Sequence, residues 1–175
     1  MTTIPLERFI DLSDVRDPGY ETDITATPEE LKRLTEWAGV DEVTRLEGHV
    51  KVHAQSRTTY QLETDFEADV VQACVVTLEP VHSHIARNFT RTLHITPSLQ
   101  RYPDKGGLVP SASVEEDAPD EIESLRYDLA APLREEFALA IDPYPRAPGV
   151  EFETPDDGDK TDSPFAALEQ LKGVN

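Results

Sequence analysis

Apolar residues recur along the chain with two different periods, and the change from one to the other divides it into elements. From Val43 the period is two. Leu46, Gly48, Val50, Val52 and Ala54 share one parity. Tyr60, Leu62, Thr64, Phe66, Ala68, Val70, Cys74, Val76 and Leu78 form a second, longer run, and Ile85 leads into Phe89, Arg91, Leu93 and Ile95. Such alternation lets a pleated strand bury one face, so three or four antiparallel strands joined by short loops are predicted. Ala54-Gln55-Ser56-Arg57-Thr58-Thr59 is the turn between the first two. Glu79-Pro80 interrupts the next, because proline belongs at an edge, a bulge or a turn. Ile4–Leu12 alternates in part, with Leu6, Ile10 and Leu12 on one parity and Phe9 out of step, and is predicted as a short strand.

Elsewhere the period is 3.6. Thr27-Pro28-Glu29-Glu30 opens a helix with a threonine cap, proline at the first position and a glutamate placed to close a capping box. Leu31, Leu34, Trp37 and Ala38 follow on its apolar side, and Gly39 supplies the stop. Trp37, the only tryptophan, is expected to anchor the core. The clearest helix lies within Asp128–Gly149. Leu129, Leu133, Phe137 and Ala140 fall on one face with Leu139 beside them, and Arg134, Glu135 and Glu136 fall mostly on the other. Asp128 is placed to accept from a free N–H of the first turn. Pro132 is tolerable because it lies in that turn, and the prolines of Asp142–Pro148 end the helix in a stiff exit.

Two stretches lack either period. Tyr102–Ser124 carries the turn Asp104-Lys105-Gly106-Gly107 and six acids within Glu115–Glu123, so a mobile acidic loop over about residues 103–124 is expected. Residues 151–163 form a second acidic segment, a linker. Ser163-Pro164 then caps a last short helix, residues 164–172, with Phe165, Leu168 and Leu171 along one stripe. A helix this short is marginal alone in water, so it is expected to dock on its own domain or on a partner. The predicted whole is one α+β domain over residues 1–150: a twisted antiparallel, barrel-like sheet with two main helices, followed by the linker and the docking helix.

The totals narrow the class. A chain of 175 residues can bury about 70% of its unfolded surface, so a core needs no disulfide support. Its single cysteine excludes an internal disulfide and any multi-cysteine zinc site. Nothing near Met1 has the basic-then-apolar pattern of an export signal, and no apolar run approaches about 18 residues. A cytoplasmic protein without membrane contact is expected. The net charge of −19, from 35 acidic and 16 basic residues, opposes general binding to phosphate backbones and suits a basic protein partner. One window differs. Pro80–Ser113 holds Arg87, Arg91, Arg101 and Lys105 against Asp104 alone, a net +3, leaving −22 for the rest. Arg87, Phe89, Arg91 and Leu93 share a parity, so an arginine–aromatic strip facing solvent is one expectation, and ordinary pairing of these arginines with nearby acids is the other.

Catalytic chemistry finds little footing. No glycine-rich phosphate loop, Gly-x-Ser-x-Gly elbow or His-Glu-x-x-His is present. Ser83 stands between His82 and His84, but strand neighbours face opposite sides, so neither is placed as its base. The five histidines are His49, His53, His82, His84 and His94. Cys74 with His82 and His84 is a conceivable zinc set, yet the paired thiolates usual in such sites are missing, and Cys74 fits a small buried hydrophobe as well. No cofactor, no metal and no enzymatic activity are expected. A small metal-dependent hydrolase or nuclease, or a metal-binding module, is the alternative.

Three motifs together resemble a known family. An acidic loop precedes Asp128-Leu129 and a helix ending in the apolar run Leu139-Ala140-Ile141, followed by prolines. Near the chain end stands Pro164-Phe165-Ala166-Ala167-Leu168-Glu169-Gln170-Leu171-Lys172. Cys74–Phe89 matches the place where members often carry Cys-x-x-Cys leading into a polar strand, although here Thr77 holds the second position. The pattern resembles the YceD family, bacterial proteins tied to accumulation of large-subunit ribosomal RNA, over roughly the C-terminal two thirds. The resemblance implies a non-catalytic factor in biogenesis of the large ribosomal subunit. Combined with the charge, it points to a basic ribosomal protein or a pre-ribosomal particle as partner, with a secondary RNA contact. The candidate partner-binding residues are Arg87, Phe89, Arg91 and Arg101 in the basic window, Glu115, Glu116 and Asp117 in the acidic loop, and Phe165 and Leu168 in the last helix.

Overall fold

The computed structural model describes residues 4–96 and 119–151. In chain order these form strand β1 (Phe9–Asp11), a single 3-10 turn at Leu12–Asp14, β2 (Tyr20–Thr25) and helix α1 (Pro28–Ala38). Three long strands follow, β3 (Glu42–Ala54), β4 (Thr59–Ala73) and β5 (Pro80–Ile95). The short strands β6 (Asp120–Ile122) and β7 (Arg126–Asp128) then lead into α2 (Ala130–Ala140).

The main sheet has the order β2-β3-β4-β5-β6, antiparallel except for the parallel pair β5–β6, and β1 with β7 makes a separate two-stranded sheet. The five strands end in two edges, so the sheet is open and not the barrel-like closure expected from the sequence. The long alternating runs do form its centre. Tyr60, Leu62, Thr64, Phe66, Ala68 and Val70 of β4 are all buried, as are Leu46, Val50 and Val52 of β3. A register shift between Val43 and Arg45 turns Val43 inward against the parity of its neighbours.

Both helices cover this apolar face. Thr27 accepts from the Glu30 N–H at 3.3 Å while Glu30 accepts from the Thr27 N–H at 2.9 Å, the capping box expected from the sequence. Gly39 ends α1 in the left-handed conformation, at φ 67°. Leu34 is fully buried, but Trp37 is 39% exposed and does not anchor the core. In α2, Leu133 and Phe137 are fully buried; Asp128 accepts from the Ala130 N–H at 3.1 Å as expected, but the N-cap is Leu129, one residue later, and has no side-chain cap bond. Leu139 departs from the expected face and lies exposed. Gly48 lets α2 approach closely, because a Cβ there would stand 2.6 Å from Leu133 Cδ1.

Three further differences come from long-range contacts. β4 ends at Ala73, and Val76 and Leu78 lie in the turn before β5 instead of continuing the strand. The end of the expected acidic loop, Asp120–Ile122, is tied to Leu93–Ile95 as β6. The segment Tyr20–Thr25, unassigned by the period of the chain, pairs along β3 and buries Ile24. The predicted linker beyond Glu151 and the helix over residues 164–172 lie outside the described residues.

Candidate functional site

Strand alternation gives the main sheet two faces, and both helices take one. The other is polar and open. Register aligns its residues in rows across the strands: Asp23, His49, Asp65 and Asn88 in one, Thr25, Glu47, Glu67 and Ala86 in the next. Glu21, Lys51, Glu63 and Thr90 lie on one side of these rows, and Arg45, Asp69 and His84 on the other. All five histidines fall on this parity. At its centre is an open groove of about 770 Å³, lined by Asp23, Glu47, His49, Asp65 and Glu67 around the short side chains of Ala86 and Asn88.

Charge on this face is unevenly matched. Arg45 bridges Glu47, Glu67 and Asp69 at 3.5, 3.0 and 2.8 Å. His84 Nδ1 lies 2.7 Å from Asp69 Oδ1, and together His84 and Arg45 hold the Asp69 carboxyl below its usual range. His49 lies 2.6 Å from Asp23, and Lys51 reaches Glu21 at 3.8 Å. Among the described residues, Glu63 and Asp65 have no cationic partner, although Gln61 donates to Glu63 at 3.2 Å. The central strand thus presents Glu63, Asp65, Glu67 and Asp69 in one line. Residues two apart on a strand are separated by about 7 Å, where like charges repel by about 0.6 kcal/mol in water. A cationic partner laid along the row relieves that repulsion.

The residues expected to carry a basic strip lie elsewhere. Arg87, Phe89 and Arg91 share a parity as expected, but it is the parity that faces the helices. Phe89 packs edge-to-face on Phe66 with ring centres 6.4 Å apart. Arg91 sits over the Phe89 ring at 5.7 Å and pairs with Glu135 at 2.9 Å, Glu136 at 3.1 Å and Asp120 at 3.4 Å. It ties β5 to α2 and β6, so the pairing expectation holds for it and the solvent-facing strip does not. Arg87 is exposed on the helix-facing parity of β5, next to groove residues Ala86 and Asn88, without an acidic partner among the described residues. Arg101, Glu115, Glu116, Asp117, Phe165 and Leu168 lie outside the described residues.

The acidic row itself was not singled out from the sequence, although its signal was there. It is the polar half of the alternation whose apolar half defined β4.

Cys74 and the histidines do not converge. His82 and His84 point to the open face, whereas Cys74 is fully buried in the turn after β4. Its Sγ accepts from the N–H groups of Thr77 at 3.5 Å and Ala147 at 3.4 Å. Hydrogen bonding, led by Thr77 and the Ala147 N–H, lowers the thiol to about 6. Among the described residues, no three His, Cys, Asp or Glu side chains are grouped to hold a metal. No described helix is long and apolar enough to cross a membrane.

The geometry defines an open-faced α+β protein with one apolar face under two helices and one acidic face turned outward. A family model described as large ribosomal RNA subunit accumulation protein YceD matches residues 62–172. The chain belongs to the YceD family, whose name places it in the accumulation of large-subunit ribosomal RNA. No curated protein and no solved structure matches the chain.

Proposed function

We propose that this chain is a non-catalytic, cytoplasmic factor in large ribosomal subunit biogenesis that holds a basic ribosomal protein, free or on a pre-ribosomal particle, against the open face of its sheet. The observation that supports this most is the line of carboxylates Glu63, Asp65, Glu67 and Asp69 on the central strand, flanked by Glu47 and Asp23 at the groove. A lysine- and arginine-rich protein is drawn to such a surface at rates that fall with salt. Naked RNA meets net repulsion from it, consistent with the net charge of −19. Arg87, exposed on β5 away from the acidic row, supplies a secondary contact to a phosphate once the complex is placed, positioning RNA without reading bases. Nothing among the described residues favours the hydrolase, nuclease or metal-module readings.

The test is binding of the purified chain to isolated basic proteins of the large subunit across a salt series. The expected result is binding that weakens with salt and falls about tenfold when Glu63, Asp65 and Glu67 are changed together to Gln, Asn and Gln. Tight, salt-insensitive binding to protein-free ribosomal RNA would overturn the proposal.

A further inference from the structure

Backbone pairing leaves one side of β5 open. β4 pairs with β5 along its length, whereas β6 reaches only Leu93–Ile95. Opposite residues of an antiparallel pair alternate between bonded and non-bonded, and the ends of β5 fix which are which. The Ile95 N–H donates to Thr58 O at 2.7 Å and the Cys74 N–H to Glu79 O at 2.8 Å, so the odd-numbered residues of β5 bond β4. The Thr96 N–H donates to Ile122 O at 3.0 Å, on the β6 side. From His82 to Thr92 the even-numbered residues therefore turn their N–H and C=O groups to that side, where no described strand lies. His82, His84, Ala86, Asn88 and Thr90 are all exposed. The β4–β5 register runs without a bulge, and no lysine and no proline beyond Pro80 interrupts this edge. Such an edge is a ready template for one more strand.

The open face gives that strand a chemistry. A strand laid beside β5 continues the rows of the sheet, with one side chain in line with Asn88, Asp65 and His49 and another in line with Ala86, Glu67 and Glu47. Strands are spaced by about 4.8 Å, so β4 and its carboxylates lie two spacings, about 10 Å, from the new backbone. In those rows only the short side chains of Ala86 and Asn88, which line the groove, stand between. The long stem of a lysine or arginine on the added strand crosses them and meets Glu67 or Asp65 reaching from the other side, which a short or acidic side chain does not do. On the opposite parity the new residues lie beside the buried Ile85 and the half-buried Phe89, which suits apolar side chains.

We propose that the basic partner binds through an extended segment that adds to β5 along His82–Thr92, alternating lysine or arginine over the groove with apolar residues beside Ile85 and Phe89. This rests on the reading of the open face as the seat of a basic protein and adds how the partner is held: main-chain bonds supply the grip, and the acidic row selects the side chains. A second copy of the chain suits the edge poorly. Its β5 has no lysine or arginine on the open-face parity, and each copy carries −19.

The full chain is tested by binding titration and amide hydrogen exchange with a synthetic peptide that alternates lysine and valine and is long enough to span His82–Thr92. Binding should slow exchange at His84, Ala86, Asn88 and Thr90, whose N–H groups bond nothing among the described residues. Two further peptides of the same sequence carry N-methyl groups, one on the lysine nitrogens and the other on the valine nitrogens. One of the two should bind at least about tenfold more weakly and the other as before, because only alternate N–H groups of an added strand face β5. Equal binding of both, lost when Glu63, Asp65 and Glu67 are changed to Gln, Asn and Gln, would overturn strand addition and leave the acidic-face reading standing. Binding of basic ribosomal proteins but of no peptide would do the same, and binding of neither would overturn both. Slow exchange at these amides in the free chain would show the edge already occupied, by the chain itself or by a second copy, and would also overturn the proposal.

Discussion

Successive residues of β4 live in two environments. Leu62, Thr64, Phe66, Ala68 and Val70 lie under the helices, while Glu63, Asp65, Glu67 and Asp69 point away from them. The covered face is held by shape, with Gly48 leaving room for Leu133 and Phe89 set edge-on to Phe66. Among the described residues nothing covers the open face, which carries more negative charge than its own Arg45 and Lys51 can match. One depends on the other. Slipping β4 by one residue would bring the carboxylates under α2, so the acidic row also fixes the register of the apolar one. The two faces therefore separate stability from binding, and substitutions on each should affect different measurements.

The largest effect is expected under the helices. Phe137→Ala should remove about 3–5 kcal/mol from the unfolding free energy in urea, because the ring is fully buried. Gly48→Val should cost about 1–3 kcal/mol through its clash with Leu133, and combined with Leu133→Ala it should cost less than the sum of the two single changes. Additivity of the two changes would show that α2 does not rest on Gly48.

The ion pair at the start of α1 gives a smaller effect with a definite pH dependence. Arg8 pairs with Glu30 at 2.7 Å, and this bond, aided by the Thr27 cap, holds Glu30 near 2 instead of its ordinary 4.5. The unfolded chain therefore binds this proton more readily than the folded one. Its contribution is complete above pH 4.5 and is lost as the pH falls towards 2. Glu30→Gln should flatten that part of the stability profile while leaving its shape near neutrality unchanged. An unaltered acid limb would break the assignment.

The smallest effect on stability belongs to the open face. Changing Glu63, Asp65 and Glu67 together to Gln, Asn and Gln should shift unfolding by no more than about 0.5 kcal/mol at each site, and towards greater stability where repulsion is relieved. The same variant should lose salt-dependent binding to a basic protein. A large loss of stability would show that the row is structural and would remove the separation between the faces.

What the sequence determined by itself is what depends on neighbours a few positions away. Alternation placed the buried residues of β4, and Thr27, Glu30 and Gly39 announced the ends of α1, which form through bonds to adjacent turns. The candidate site was half legible: the acids of β4 alternate as plainly as its apolar residues, but their sharing a face with Asp23 and Glu47 needs the pairing of three strands. Tertiary structure decided whatever depends on what lies opposite. Period marks which side of an element is apolar and not what covers it, so Trp37 and Leu139 remain exposed although their spacing matches buried neighbours. In the same way Arg91 meets Glu135 and Glu136, more than forty residues on in the chain, only because α2 crosses that part of β5. The open edge of the sheet has the same origin, since closure depends on how strands meet across the fold and no local pattern encodes it.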